Sequence, residues 1–389
     1  MSSHRRPPTV LIHGIFGCGA CWPAEIRDNP EFIASEGTGA VSSAHDRACE
    51  LFYELYGGIV DYGEEHSSRY GHRRHGRTFY SGKWPRWSAT SPVDLVGHSY
   101  GGNVAIDLAL KLGSDFFRVG SDHRWVRSIV TLSAPINGTT LVYLLGLSIA
   151  DHRSVRWASA IHLFGALAAS FWALSVHLPG LRRLYDFRQP QWEDYTSVRQ
   201  IWSMRHPMVT SEDNAFHDLA PPRRHACNPA AGELAAHYLV SVSTQVNVRV
   251  SLPRPWARRK LELVLPVGSY NPLVLLVVLL IQLQSLRHQL LAWVGWLTPP
   301  FDGADGGAWA SSDGAVNTCS QGSPVGRRGA GAGAEHVPIA EDTDAASLRK
   351  GVWYRMHLGQ HHNATKNLST MRRVVAILDG LPGDASDIK

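Results

Sequence analysis

Charge is scarce in this chain of 389 residues: Asp, Glu, Lys and Arg make up 18% of it, against roughly 25% in an average soluble protein. The net charge of +5 is too small and too dispersed for a nucleic-acid surface, and no aromatic-basic stripe or finger spacing accompanies it. Cysteine is scarcer still. Five cysteines, at 18, 21, 49, 227 and 319, form an odd, sparse set that excludes a disulfide framework. Cys18 and Cys21 have no second CxxC to complete a zinc site, so they read as small apolar residues. No apolar h-region precedes the first strand, so no signal peptide is expected. What is abundant is apolar: 44% hydrophobic residues, with 13 tryptophans. That supplies a sizeable core, excludes global disorder, and suits one enlarged α/β domain or two domains that meet lipid or a greasy ligand.

Along the chain, Thr9–Ile12 is a short buried strand ending at the turn His13-Gly14. Residues 46–56 have helical spacing, and residues 61–82 read as a loop holding His66, His72 and His75. Pro92–Val96 is a second buried strand, followed by Gly97-His98-Ser99-Tyr100-Gly101-Gly102 and a helix over Asn103–Leu112. Val126–Leu132 is a third strand. Strand, turn, helix, strand is the rhythm of a mostly parallel, doubly wound α/β sheet.

Two apolar stretches follow. Trp157–Val176 carries no formal charge, and Leu273–Ile281 is apolar throughout. The first has the length of a membrane span, but a span there would separate Ser99 from the later histidines, so both read as cap helices. The expected organisation is a core over 1–138 with a His-rich insertion at 57–82, a helical lid or cap over 139–300, and a second core segment over 301–389. Within the last, the Gly- and Ala-rich stretch 321–350 reads as a disordered insertion.

The chemistry starts at Gly97-His98-Ser99-Tyr100-Gly101, a GxSxG. The pentapeptide alone is weak evidence, but its place between a strand and a helix is what a nucleophile elbow requires. A serine that accepts acyl groups also needs two backbone N–H donors for the oxyanion. Tyr100, directly after the serine, is one; the turn after the first strand supplies the other, with Ile15 ahead of Phe16. The acid and the histidine follow in chain order. Asp302, Asp305 and Asp313 are available for the first role, and the adjacent His361 and His362 for the second.

Several segments together resemble the thermoalkalophilic bacterial triacylglycerol lipases and their plant and algal relatives. They include DRACE (46–50), VDYGEEH (60–66), GHRRHGR (71–77), LVGHSYGG (95–102), SAPINGTTL (133–141), YDFRQPQW (185–192), NAFHDLAP (214–221), WASSDGAVNT (309–318) and KGVWY (350–354). The resemblance implies an α/β-hydrolase fold with a helical lid. It implies a triad of Ser99, Asp313 and His362, although the residue before the histidine is usually Asp in the family and is His361 here. It also implies a structural zinc held by Asp46, His66 and His72. The family's fourth ligand falls on Pro190, which leaves Asp186 and Asp194 as nearby substitutes. The family's calcium-binding glutamate is Ala364 here, so no calcium is expected. The stretch from Gly17 to Ser42 is shorter than in the family, leaving room for one element fewer.

The expected function is therefore a Ser-Asp-His triacylglycerol lipase needing no cofactor for catalysis, acting on lipid or ester at an oil–water or membrane surface. Trp157, Phe164, Phe171 and Trp172 would meet lipid, and Arg254, Arg258, Arg259 and Lys260 read as a solvated basic face. The alternatives are a short-chain carboxylesterase or phospholipid acyl hydrolase with the same triad, and a membrane-associated protein on a degenerate hydrolase fold. A soluble or peripherally bound protein is expected rather than a spanning one.

Overall fold

A computed structural model describes residues 6–178, 180–181, 186–195, 210–252, 261–266, 283, 309, 311–325, 336–340 and 342–383. Within them, β1 (Thr9–Ile12), β2 (Phe32–Ala34), β5 (Val93–His98), β6 (Val126–Leu132), β7 (Tyr238–Thr244), β10 (His336–Pro338) and β11 (Trp353–Leu358) form one sheet. Its order is β10-β11-β7-β6-β5-β1-β2, and every pairing is parallel; β8 (Asn247–Leu252) and β9 (Leu261–Pro266) form a separate antiparallel pair. The central strands β1, β5, β6 and β7 are buried at every residue, as a sheet covered on both faces demands.

Side chains alternate between the two faces. Val10, Ile12, Leu95 and Ile129 join one apolar cluster, whereas Leu11, Val96 and Val130 join the other. The first face is covered by α2 (Ala44–Tyr56) and α4 (Tyr100–Gly113), with Phe52, Leu55, Val104 and Leu108 inward. The second is covered by α1 (Ala24–Arg27) and the C-terminal helix Leu368–Gly380, with Ile26, Met371, Val374 and Leu378 inward. A third cluster lies near the candidate nucleophile. It includes Tyr100, Val142 and Tyr143 of α5 (Leu141–Leu145), and Ile161 of α6 (Ala160–His177).

Two expectations change, and the contents of a third segment are defined. Residues 57–82 are not a loop but the antiparallel hairpin of β3 (Gly58–Asp61) and β4 (His75–Phe79), with α3 (Glu64–Tyr70) between them. Interleaved polar side chains hid this small two-stranded element, which has little core of its own. The shortened stretch from Gly17 to Ser42 still holds α1 and β2. The expected disordered insertion 321–350 contains β10, an edge strand whose Pro338 is tolerated because an edge leaves one side of the ladder unpaired. The run Leu273–Ile281, the basic residues 254–260, and Asp302 and Asp305 lie outside the described residues. No described helix is long and apolar enough to cross a membrane.

Candidate active site and metal cluster

The chain direction switches between β1 and β5: the chain leaves β1 toward β2 on one side and β5 toward β6 on the other. Open α/β sheets bind ligands in the crevice at such a point, beyond the carboxyl ends of the strands. Ser99 sits there, between β5 and α4, with φ 55° and ψ −132°. That left-handed backbone costs on the order of 1–3 kcal/mol in a residue with a side chain. The neighbouring glycines make the turn sterically allowed. A Cβ on Gly97 would strike the backbone of Gly101 and Gly102, and one on Gly101 would strike the Ile12 carbonyl. A Cβ on Gly14 would come within 2.7 Å of Ser99 Cβ, so the turn after β1 lies directly against the serine.

The structure brings Ser99, His362 and Asp313 together from three distant parts of the chain. His362 Nε2 lies 2.9 Å from Ser99 Oγ, and His362 Nδ1 lies 2.9 Å from Asp313 Oδ2. His361 is exposed and its neighbour takes the contact. Asp313 is fully buried. Its Oδ1 accepts from the amides of Ala315 and Val316 at 3.0 and 2.8 Å, and its Oδ2 also accepts from Thr244 Oγ1 at 2.8 Å. His362 is held from behind as well: its amide donates to the Asp313 carbonyl, and its own carbonyl accepts from His98 Nε2 and Thr365 Oγ1. Burial, then the neighbouring His362, pushes His98 well below the usual histidine range, which keeps it neutral.

Of the two residues weighed for the second oxyanion donor, Phe16 has its amide committed to the Ala40 carbonyl at 3.0 Å. Its φ is 54°, and its ring meets Phe164 of α6 edge-on at 4.9 Å. The Ile15 amide has no such commitment among the described residues. Tyr100 opens α4, so its amide is one of the helix's free N-terminal donors.

A second constellation lies at the first turn of α2. Asp46, His66, His72 and Asp213 each offer one ligand atom, all within 4.8 Å of one another. His66 Nε2 stands 3.1 Å from Asp46 Oδ1 and 3.2 Å from Asp213 Oδ1; His72 Nε2 stands 3.3 Å from Asp213 Oδ2. Four ligands at roughly 2.0–2.1 Å around a tetrahedral zinc would be separated by about 3.3 Å. Asp46 Oδ1, both histidine Nε2 atoms and both Asp213 carboxylate oxygens are buried without a hydrogen-bond partner. Such a group fits a metal ion and is otherwise costly. Outer contacts orient the ligands: His72 Nδ1 donates to the Arg73 carbonyl at 2.8 Å, and Gln191 Nε2 donates to Asp46 Oδ2 at 2.8 Å. The fourth member of the group is thus Asp213, not Asp186 or Asp194. Asp194 is paired with Arg73 and Asp186 faces Arg77 at 3.8 Å, both at the surface, while Pro190 opens a short 3-10 turn. Asp213 directly precedes the shared segment NAFHDLAP, and that adjacency was the available signal.

The apolar stretch forms α6, but its outer face differs from the expected one. Trp157 is 83% exposed, whereas Trp172 is buried and Phe164 and Phe171 are half-buried. The solvent side is a row of Leu163, Leu167 and Leu174, at the three-to-four-residue spacing that puts side chains on one helix face.

Residues 24–114 match a family model described as the lipase-like C-terminal domain. Lipase 2 of Staphylococcus aureus is 29% identical over 249 residues, covering 54% of this chain and 34% of the relative. The lipase of Staphylococcus hyicus is 40% identical over 117 residues, covering 26% of this chain and 18% of the relative. The chain thus spans about a third of the length of the first of these. Among solved structures, lipase 1 from Pelosinus fermentans superposes with a TM-score of 0.62 at 25% identity, over 97% of this chain and all of that one. EstA from Clostridium botulinum superposes with a TM-score of 0.64 at 22% identity, over 97% and 88% of the two chains. The fold is that of the α/β-hydrolases.

Proposed function

Since this chain is a relative of the bacterial lipases, we propose that it is a serine carboxylic ester hydrolase, a triacylglycerol lipase, working through Ser99, His362 and Asp313. The observation that carries this reading is the pair of 2.9 Å contacts from Ser99 Oγ through the His362 ring to the buried Asp313. In this mechanism His362 Nε2 takes the Ser99 proton as Oγ attacks the ester carbonyl, and Asp313 holds the imidazole with its proton on Nδ1. The amides of Ile15 and Tyr100 receive the oxyanion, and removing one such donor costs roughly 3–4 kcal/mol of barrier. His362 then protonates the departing alcohol, and water releases the acyl group by the same steps in reverse order.

The lipase reading, rather than a short-chain esterase, rests on α6. Phe164 places the helix against the oxyanion turn at Phe16 while Leu163, Leu167 and Leu174 face outward. A helix that covers the site with one face and offers an apolar row to solvent suits a lid that exchanges water for lipid. Asp46, His66, His72 and Asp213 would hold a zinc ion. With four protein ligands the site is closed and structural, supplying folding energy and no step of the reaction.

The deciding experiment compares hydrolysis of a short-chain p-nitrophenyl ester with that of an emulsified long-chain triglyceride, with Ser99→Ala as control. Ser99-dependent release from both, rising when droplets appear, is the expected result. Short-chain turnover alone would make the protein an esterase. No Ser99-dependent turnover in folded protein would end the hydrolase reading.

A further inference from the structure

Arg47 stands beside the candidate zinc ligand Asp46 on α2, but its side chain points the other way. It is fully buried, and no carboxylate lies within ion-pair distance among the described residues. Its Nη2 donates instead to the His13 carbonyl at 2.6 Å, lies 3.1 Å from His13 Nδ1 and, at a longer 3.4 Å, reaches the Gly14 carbonyl and Thr38 Oγ1. Its Nε and Nη1 find no acceptor, and its guanidinium carbon lies 5.4 Å from the Tyr100 ring centre. A buried, unpaired cation is expensive, and an apolar residue of like volume in such a place is commonly as stable or more so. Packing alone therefore does not account for an arginine here.

The carbonyls that Arg47 holds belong to the turn after β1. The Gly14 carbonyl and the Ile15 amide are the two ends of one planar peptide unit, and a trans peptide points them in opposite directions. Fixing the carbonyl toward Arg47 therefore aims the Ile15 N–H away from Arg47. His13 adds a second hold on the same carbonyl: its Nδ1 lies 2.9 Å from Gly14 O. The same Nδ1 lies 3.1 Å from Arg47 Nη2, and burial, then the charge of Arg47, lowers the His13 pKa to about 3, so the ring is neutral. Its Nε2 is hydrogen-bonded to Thr38 Oγ1 at 3.1 Å, and that hydroxyl oxygen accepts from Arg47. The three side chains close a single hydrogen-bonded network behind the turn. A Cβ on Gly14 would strike Ser99, so little room remains for the turn to move toward the serine.

We infer that Arg47 is a positioning residue of the oxyanion hole, acting with His13 and Thr38 to hold the Gly14–Ile15 peptide with its N–H aimed at the developing oxyanion beside Ser99. The inference rests on the hydrolase reading for its catalytic consequence, but the network itself does not.

The test is Arg47→Met, which keeps the length and apolar fill of the side chain and removes its donors. Donor misalignment acts on the tetrahedral state and not on ester binding. The kcat on a soluble short-chain ester is expected to fall about 10- to 100-fold with KM within about twofold, and thermal stability is expected to hold. Arg47→Lys, which keeps one donor, is expected to recover part of the loss. A folded Arg47→Met protein with kcat within threefold of the unsubstituted enzyme overturns the proposal, as does a loss carried by KM. Should Arg47→Met fail to fold, Arg47→Lys decides by the same kcat and KM criteria. If the unsubstituted protein shows no Ser99-dependent turnover, the hydrolase reading has failed. The crystal structure of whichever variant folds then decides: a rotated Gly14–Ile15 peptide supports the clamp and an unmoved one overturns it.

Discussion

At the scale of single residues, Asp313 is the most fully constrained member of the candidate triad. Besides His362 Nδ1, its Oδ2 faces two more donors, Thr244 Oγ1 at 2.8 Å and Gln321 Nε2 at 3.2 Å. An amide placed there presents an NH2 to at least one group already donating. Asp313→Asn is therefore expected to leave the fold standing, turn the imidazole to the wrong tautomer, and lower kcat by about 10⁴-fold. Steady-state kinetics on a soluble ester, alongside a thermal melt, check this; an unchanged kcat in folded protein would remove Asp313 from the triad. The three side chains were legible in the sequence to different degrees. Ser99 stood out because its strand, turn and helix are contiguous. His362 could not be separated from His361, nor Asp313 from Asp302 and Asp305, on spacing alone, because loops place side chains by contacts that sequence order does not record. Only the resemblance chose among them. Asp213 reaches Asp46 across 167 positions of chain, and its only mark in the sequence is its place just before the shared segment NAFHDLAP, which names no role for it.

Helix α2 ties the metal cluster to the oxyanion turn. Its first turn carries Asp46 toward the metal cluster and Arg47 toward the oxyanion turn. The Ala44 amide donates to Asp218 Oδ2 at 2.7 Å, the same oxygen that accepts from Tyr100 Oη at 2.7 Å. A metal at Asp46, His66, His72 and Asp213 would join α2, α3 and the segment before Ala215–Asp218. Adding zinc to metal-free protein is accordingly expected to raise the melting temperature, by the equivalent of about 2.7 kcal/mol when free metal exceeds its Kd a hundredfold. In Asp213→Ala that rise should vanish. An equal rise in the variant, followed by calorimetry, would place the zinc elsewhere. One turn further along α2, Glu50 accepts from the Gly39 amide at 2.6 Å and from Tyr62 Oη at 3.0 Å. Burial, then the charge of Asp46, outweighs these contacts and raises its pKa to about 8 from an ordinary 4.5. The folded protein thus holds a proton that the unfolded chain releases, so Glu50 makes stability fall as pH rises from about 4.5 to about 8. Glu50→Gln keeps both contacts with a neutral group. In urea titrations of metal-free protein across that window, its stability should fall less steeply than that of the unsubstituted chain. Parallel slopes would show that Glu50 is ionised throughout.

At the scale of the whole molecule, the apolar side chains among the described residues have two main destinations. Most of them fill the two faces of the sheet, where alternating residues of β1, β5 and β6 take opposite sides; that division follows from strand period and was readable in advance. A second share lies on α6, and there the sequence was ambiguous. A uniformly apolar helix has no preferred face until its neighbours choose one. Ile161, Ala168, Ala169, Trp172 and Ala173 turned inward and left the leucines outside, while Trp157, just before the helix, is exposed as expected. If α6 is the surface that meets lipid, its leucines should matter only when lipid is present. Burying a leucine side chain is worth about 1.5–3 kcal/mol, so losing two at half burial removes about 2 kcal/mol from adsorption, a drop on the order of 30-fold. Leu163→Glu combined with Leu167→Glu is expected to reduce hydrolysis of emulsified triglyceride and vesicle binding by that order. Turnover of a soluble short-chain ester should stay within about twofold, since neither leucine touches the triad. Equal losses on both substrates would mean that the substitutions had disturbed the seat of α6 on Phe16. Full activity on the emulsion would mean that adsorption uses another face of the protein.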